Sequence, residues 1–246
     1  MLLCYSLAWV ALLKKSDFYA GAWLGVGLCK YQLVLPFMVA FVLQKRAKVV
    51  AGFTAVALIL GLISLAAVGW QGILSYPRFL LTWERNPRLQ LNGEQPNLHG
   101  FLVTTLGNSR WVQVVVLGAS VLLLAIACYG WRSAASGEMP STELAFAANL
   151  LMTLLVSYHG YVQDLSLLFL VLLLTLDVLI ARPPLTTWSR RLVLVCLAVL
   201  LFSPIYLVLI LRFRKLQVLT PVLLMLFLGL IGAIASLFRT RSLHLT

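Results

Sequence analysis

The chain has 246 residues, 62% of them hydrophobic and 11% charged, with a mean hydropathy of +1.00. Soluble domains are about 45–50% apolar and about 25% charged, so composition excludes that class and indicates an integral membrane protein. The net charge of +12 does not signal nucleic acid, because the 19 Lys and Arg form short clusters between apolar runs, which is how membrane topology is encoded.

Met1–Leu13 has no basic region before its apolar run and is followed by Lys14 and Lys15, so it does not read as a signal peptide. A span needs about 20 residues. The segment therefore reads as the second half of a span, with the expectation that the chain begins partway through a larger protein.

Residues 17–43 are flanked by basic pairs at both ends, and both ends call for the same side of the membrane. Two half-length helices, Tyr19–Cys29 and Val34–Leu43, would each rise about 15 Å and form a hairpin turning at Lys30-Tyr31-Gln32. Pro36 suits the first turn of the second helix. The other reading is one kinked span. A lysine near mid-membrane costs about 2.5–3.5 kcal/mol, so Lys30 faces a cavity, a partner or an anionic ligand unless it snorkels to an interface. Gln32 adds a polar group at the same depth.

Val49–Val68 follows as a span, and the cluster Lys45, Arg46 and Lys48 places its start in the cytoplasm. Residues 70–110 then form an external loop holding Arg78, Glu84, Arg85, Arg88, Glu94, Gln95, Asn97 and His99. A loop of that length is usually functional. Within it, Ile73–Trp83 suits a helix lying in the interface, anchored by Trp70, Tyr76 and Trp83. "PNLHGFLVTTL" descends into an apolar run too short to span.

Trp111–Tyr129 returns to the inside at Arg132, and the shorter Leu144–Val156, carrying Asn149, leads out again. The loop "SYHGYVQD", residues 157–164, supplies Tyr158, His159, Tyr161 and Asp164, the aromatic faces, donors and carboxylate that sugars need. As a metal pair, His159 and Asp164 have uninformative spacing. Leu165–Ala181 comes back to Arg182, and Asp177 has no assigned role. Residues 182–246 read as two supporting spans, Leu192–Leu211 and Val218–Phe238, with Arg190 and Arg191 before them and Arg239 and Arg241 after them. Between the two, "RFRK" falls on the external side, against the charge rule unless it meets an anion. Cys4, Cys29, Cys128 and Cys196 have no paired spacing, so neither a disulfide framework nor a zinc site is indicated.

The stretches "AGAWLGVGLCKYQLVLPFMVAFVLQKR", "GWQGILSYPRFL", "QPNLHGFLVTTLG" and "SYHGYVQDLSLLFLVLLL", in this order, resemble the GT-C class of membrane glycosyltransferases. More narrowly, they resemble the bacterial polyprenol-phosphate-mannose-dependent alpha-1,2-mannosyltransferase-like family, over residues 1–180. The resemblance implies an all-α polytopic fold: a GT-C-like helical bundle, one membrane domain over 1–246, with a re-entrant or broken helix pair and an external loop bearing interfacial helices. It implies transfer of a hexose, mannose, from a polyprenyl-phosphate-linked donor to an acceptor on the outer face of the plasma membrane. In that chemistry a carboxylate takes the acceptor proton and cations stabilise the departing phosphate.

By that resemblance Lys30 and Arg78 bind the donor phosphate, and Gln32, Asn97, His99, His159 and Asp164 line the sugar and acceptor cavity. The expected partners are membrane lipid and the polyprenyl-phosphate sugar, with no cofactor or metal beyond that donor. The family's principal aspartate lies in a first external loop that this chain lacks, so Asp164 is the remaining carboxylate candidate and the expectation is of a chain incomplete or inactive alone. The competing class is a transporter or lipid-translocating protein, in which broken helices and intramembrane charge also occur. Internal repeats would favour it, and the two halves share no spacing of Pro, Gly or charge.

Overall fold

The computed structural model describes residues 1–84, 94–135, 139–158, 160–181, 187–202, 204, 208–213 and 215–244. These are helical, with no strand among the described residues, and five helical stretches are long and apolar enough to cross a membrane. The protein is an all-α polytopic membrane protein. Its helices are α1 (Leu2–Leu13), α2 (Asp17–Val26), α3 (Tyr31–Leu43), α4 (Ala47–Glu84), α5 (Leu98–Leu106), α6 (Arg110–Ala135), α7 (Met139–Val156), α8 (Ser166–Ala181), α9 (Thr187–Leu201) and α10 (Thr220–His244). They fall into two compact units, one of residues 3–31 and 46–91, the other of residues 1–2, 32–45 and 92–246.

In the first unit α1 ends in a tight cap. The Ser16 N–H donates to the Ala11 carbonyl at 2.8 Å and the Lys15 N–H to that of Leu12 at 3.0 Å. Lys15 takes the left-handed conformation, φ 56°, that this motif requires. Lys45, also at φ 56°, ends α3 in the same backbone region.

Helices α2 and α4 pack with their backbones in contact. A Cβ on Gly21 would collide with the Val49 carbonyl, and one on Gly52 with the Phe18 carbonyl; at Gly25 it would press on Val56 at 2.7 Å. Gly21 meeting Val49 and Gly25 meeting Val56 is a parallel register, so both helices start at the same end. The Arg46 guanidinium confirms this, lying 3.5 Å from the Asp17 carboxylate.

A straight helix from residue 17 to 46 would separate those groups by about 40 Å. Residues 17 and 46 thus lie at one end of this unit, and the chain between them is not one straight helix; the break falls at Gly27–Lys30 rather than at the expected Lys30-Tyr31-Gln32, and Pro36 lies inside α3 rather than in its first turn. That break is a 3-10 turn between α2 and α3. By length and composition Asp17–Leu43 is one of the five stretches able to span.

Beyond residue 68, α4 bends at Gly69, whose φ of 69° and ψ of 173° are open to glycine and strained for other residues. Trp70, Leu74, Tyr76 and Phe79 are exposed after the bend, and Leu58, Leu62 and Ile63 before it, as expected of helices that face lipid and its interface.

The second unit is built around α7. Its residues 144–155 are buried on all faces, packed by α6, α8 and α10. Phe37 and Phe41 of α3, Trp131 of α6 and Phe146 of α7 form an aromatic cluster with ring centroids 5.1–6.5 Å apart. Asn149, fully buried, donates its amide to the Phe37 carbonyl at 3.2 Å, which accounts for a polar residue in so apolar a helix.

One predicted span is corrected. Leu192–Leu211 is not a continuous helix, because α9 stops at Leu201. Pro204 lacks an N–H and its ring would clash with the carbonyl four residues back, which ends the helix. A short π-helix, Val208–Phe213, and a 3-10 turn, Leu216–Leu219, follow before α10 begins.

Candidate functional site

The polar cluster of the second unit is assembled around Asn97. This residue caps α5, its side-chain oxygen accepting the Gly100 N–H at 2.7 Å. Its amide nitrogen donates to the carbonyls of Ser157 at 2.7 Å and Tyr158 at 3.4 Å, so it also holds the loop after α7. Its backbone carbonyl accepts the Thr220 hydroxyl at 3.2 Å, which ties in the start of α10. Asn97 is fully buried, so these bonds replace water. Gly160 closes over it: a Cβ there would sit 2.9 Å from the Ser157 hydroxyl and 3.2 Å from the Asn97 amide.

His99, in the first turn of α5, stacks on Tyr158 with ring centroids 4.2 Å apart, and its Nε2 lies 3.5 Å from the amide nitrogen of Gln113 on α6. Gln113 also donates to the Asn108 side chain at 3.0 Å. Asp164 is 2% exposed and pins the other end of the loop. Its carboxylate accepts the Tyr161 N–H at 3.1 Å, while its own N–H donates to the Tyr161 carbonyl at 2.8 Å. Gln95 and Gln217 are buried at the edge of this cluster, each with a side-chain oxygen that has no hydrogen-bond partner among the described residues.

The structure thus brings Asn97 and His99 to the loop that Asp164 closes. His159, from the same loop, lies outside the described residues, as do Arg85, Arg88, Arg182 and Arg214. Gln32 is half-buried in the first turn of α3. In the other unit, Lys30 is half-buried at the end of the hairpin's 3-10 turn, and Arg78 is exposed beyond the Gly69 bend. Gln217, Thr220, Ser157 and Gly160 complete the cluster with no sequence motif to mark them. The available signal was their position: polar or small residues at the heads and tails of apolar runs.

No group of three or more His, Cys, Asp or Glu side chains among the described residues could hold a metal ion. The arrangement instead offers amide, hydroxyl, imidazole and carboxylate groups around aromatic rings, the chemistry that recognises a polyhydroxylated ligand. The model of Glycosyltransferase family 87 matches residues 1–157, well over half of the 246. The chain belongs to glycosyltransferase family 87. No curated protein and no solved structure matches it. In this family-87 chain the matched region contains Lys30, Gln32, Arg78, Asn97 and His99 and stops at Ser157. Asp164, Gln217 and Thr220 come from the part beyond it. The family makes the chain a membrane glycosyltransferase.

Proposed function

We propose that this family-87 chain transfers mannose from a polyprenyl-phosphate donor to an acceptor at the external face of the plasma membrane. In that reaction the acceptor oxygen bonds to the anomeric carbon, the bond from that carbon to the phosphate oxygen breaks, and the acceptor proton passes to a base. Lys30 and Arg78 supply positive charge for the departing phosphate. Asn97, His99, Gln32, His159 and Asp164 form the sugar end.

The observation that carries the reading is the buried Asn97–Ser157–Tyr158–Thr220 network with His99 beside it. Asn97, Ser157 and Thr220 spend these groups on holding α5, the loop after α7 and the start of α10 together, and the rings of His99 and Tyr158 are thereby set side by side as the face offered to a sugar. Asp164 acts here through its loop, because its carboxylate is engaged with the Tyr161 backbone. It holds Tyr161 at the end of the loop rather than serving as the sole base.

The test is mannosyl transfer from radiolabelled polyprenyl phosphomannose, in membranes carrying the full chain. Lys30→Ala should lower kcat/KM about 100-fold, the scale of a lost charge-stabilising donor, and Lys30→Arg should restore part of it. If transfer is indifferent to Lys30, or if Lys30 governs movement of the lipid across vesicles without transfer, a translocator replaces the transferase.

A further inference from the structure

Residues 178–246 contain eight Lys and Arg and no Asp or Glu, so this region carries no counter-charge of its own. Two of its cations, Arg212 and Lys215, are exposed beside an apolar slot of about 310 Å³. The slot exists because α9 stops early. Val199 and Phe202 form one wall, Val208 and Leu209 of the π-helix a second, and Val218 and Val222 a third.

Lys215 links two of these walls through its backbone, its N–H donating to the Leu209 carbonyl at 3.0 Å and its carbonyl accepting the Val218 N–H at 3.2 Å. Arg212 follows Val208 by four residues, about one turn along the π-helix. Both cations are thus carried by the segment that supplies two of the walls, and both are exposed. Phe202, Val208 and Val218 line the slot and are themselves exposed, so it opens sideways toward lipid.

We propose that the slot holds an acyl chain of an anionic bilayer phospholipid, with its phosphate on Arg212 and Lys215. Lipid tails are as apolar as the slot, so the cavity alone does not select one lipid over another. Selection comes from the two cations, in the manner of basic pockets that hold anionic headgroups between membrane helices. Their exposure favours a lipid that exchanges with the bilayer over one held in the buried polar cluster. Arg212 and Lys215 of the "RFRK" stretch, expected on the external side against the charge rule, thereby gain an anion. This inference does not depend on the transferase reading.

The test uses the full chain purified in neutral detergent, with phosphatidylglycerol or phosphatidylcholine of identical acyl chains added, and counts retained lipid by native mass spectrometry. Phosphatidylglycerol should be retained several-fold more than phosphatidylcholine. The double variant Arg212→Gln with Lys215→Gln should remove that difference, and Val218→Trp should lower phosphatidylglycerol retention with both cations in place. Equal retention of the two lipids by the unaltered chain overturns the proposal without any variant being needed. So does an undiminished preference in the double variant. Retention of polyprenyl phosphate but not phosphatidylglycerol through Arg212 and Lys215 would assign the slot to a donor lipid and sink the phospholipid reading.

Discussion

Both side-chain polar atoms of Asn97 and its backbone carbonyl are bonded within the fold. Replacing it with alanine strips the cap from α5 and leaves the Ser157 carbonyl without its buried donor, a loss of about 2–3 kcal/mol. The midpoint of thermal unfolding in detergent should fall accordingly. Asn97→Asp is the sharper probe: it keeps the acceptor for the Gly100 N–H but sets a second oxygen against the Ser157 carbonyl. Aspartate should therefore be no better than alanine, and a fully stable aspartate variant would show that the loop is held by something else. Much of this was legible, since "QPNLHGFL" has the form of a capped helix start and both Asn97 and His99 stood out as polar residues at its head. What was not legible was the division of labour. Sequence marks Asn97 as a ligand-facing group, but burial gives its amide to the protein, and Thr220, 123 positions away, completes the set.

At the scale of elements, the α2–α4 pair depends on the absence of side chains. Gly21→Leu or Gly52→Leu drives a side chain into a backbone carbonyl, which cannot retract as a flexible side chain does. Either should separate the two helices and lower the yield of folded protein in membranes. Gly61 of α4, where a Cβ would meet nothing within 4 Å, is the internal control, and Gly61→Leu should be tolerated. Normal folding of Gly52→Leu would refute the close packing. The glycines were visible as residues, but their partners were not, because hydropathy cannot distinguish a helix face turned to lipid from one turned to another helix. The same limit explains the misread span at 192–211. Its apolarity is continuous, and only the proline within it announces that the helix stops. In α7 the reverse holds: a run too short to cross unaided is stable because α6, α8 and α10 surround it.

At the scale of the whole molecule, the closure of residues 17 and 46 makes a claim about sidedness. In a background with Cys4, Cys29, Cys128 and Cys196 replaced, single cysteines at positions 16 and 44 should react with a membrane-impermeant thiol reagent from the same side. Labelling from opposite sides would restore the single kinked span. The class of fold followed from composition, since 62% hydrophobic residues leave little choice. Charge called for a hairpin at residues 17–43, because basic residues at both ends of an apolar segment are satisfied together if the chain doubles back, and the meeting of Asp17 with Arg46 agrees with that reading.

That return also governs biogenesis. A segment that enters and leaves by the same face contributes nothing to the count of membrane crossings, so the orientation of every later helix is independent of it. Deleting residues 18–45 would remove Lys30 and Gln32 yet leave α4 starting from the side it starts from now. A segment that returns to its own face can thus be gained or lost without turning the rest of the molecule inside out.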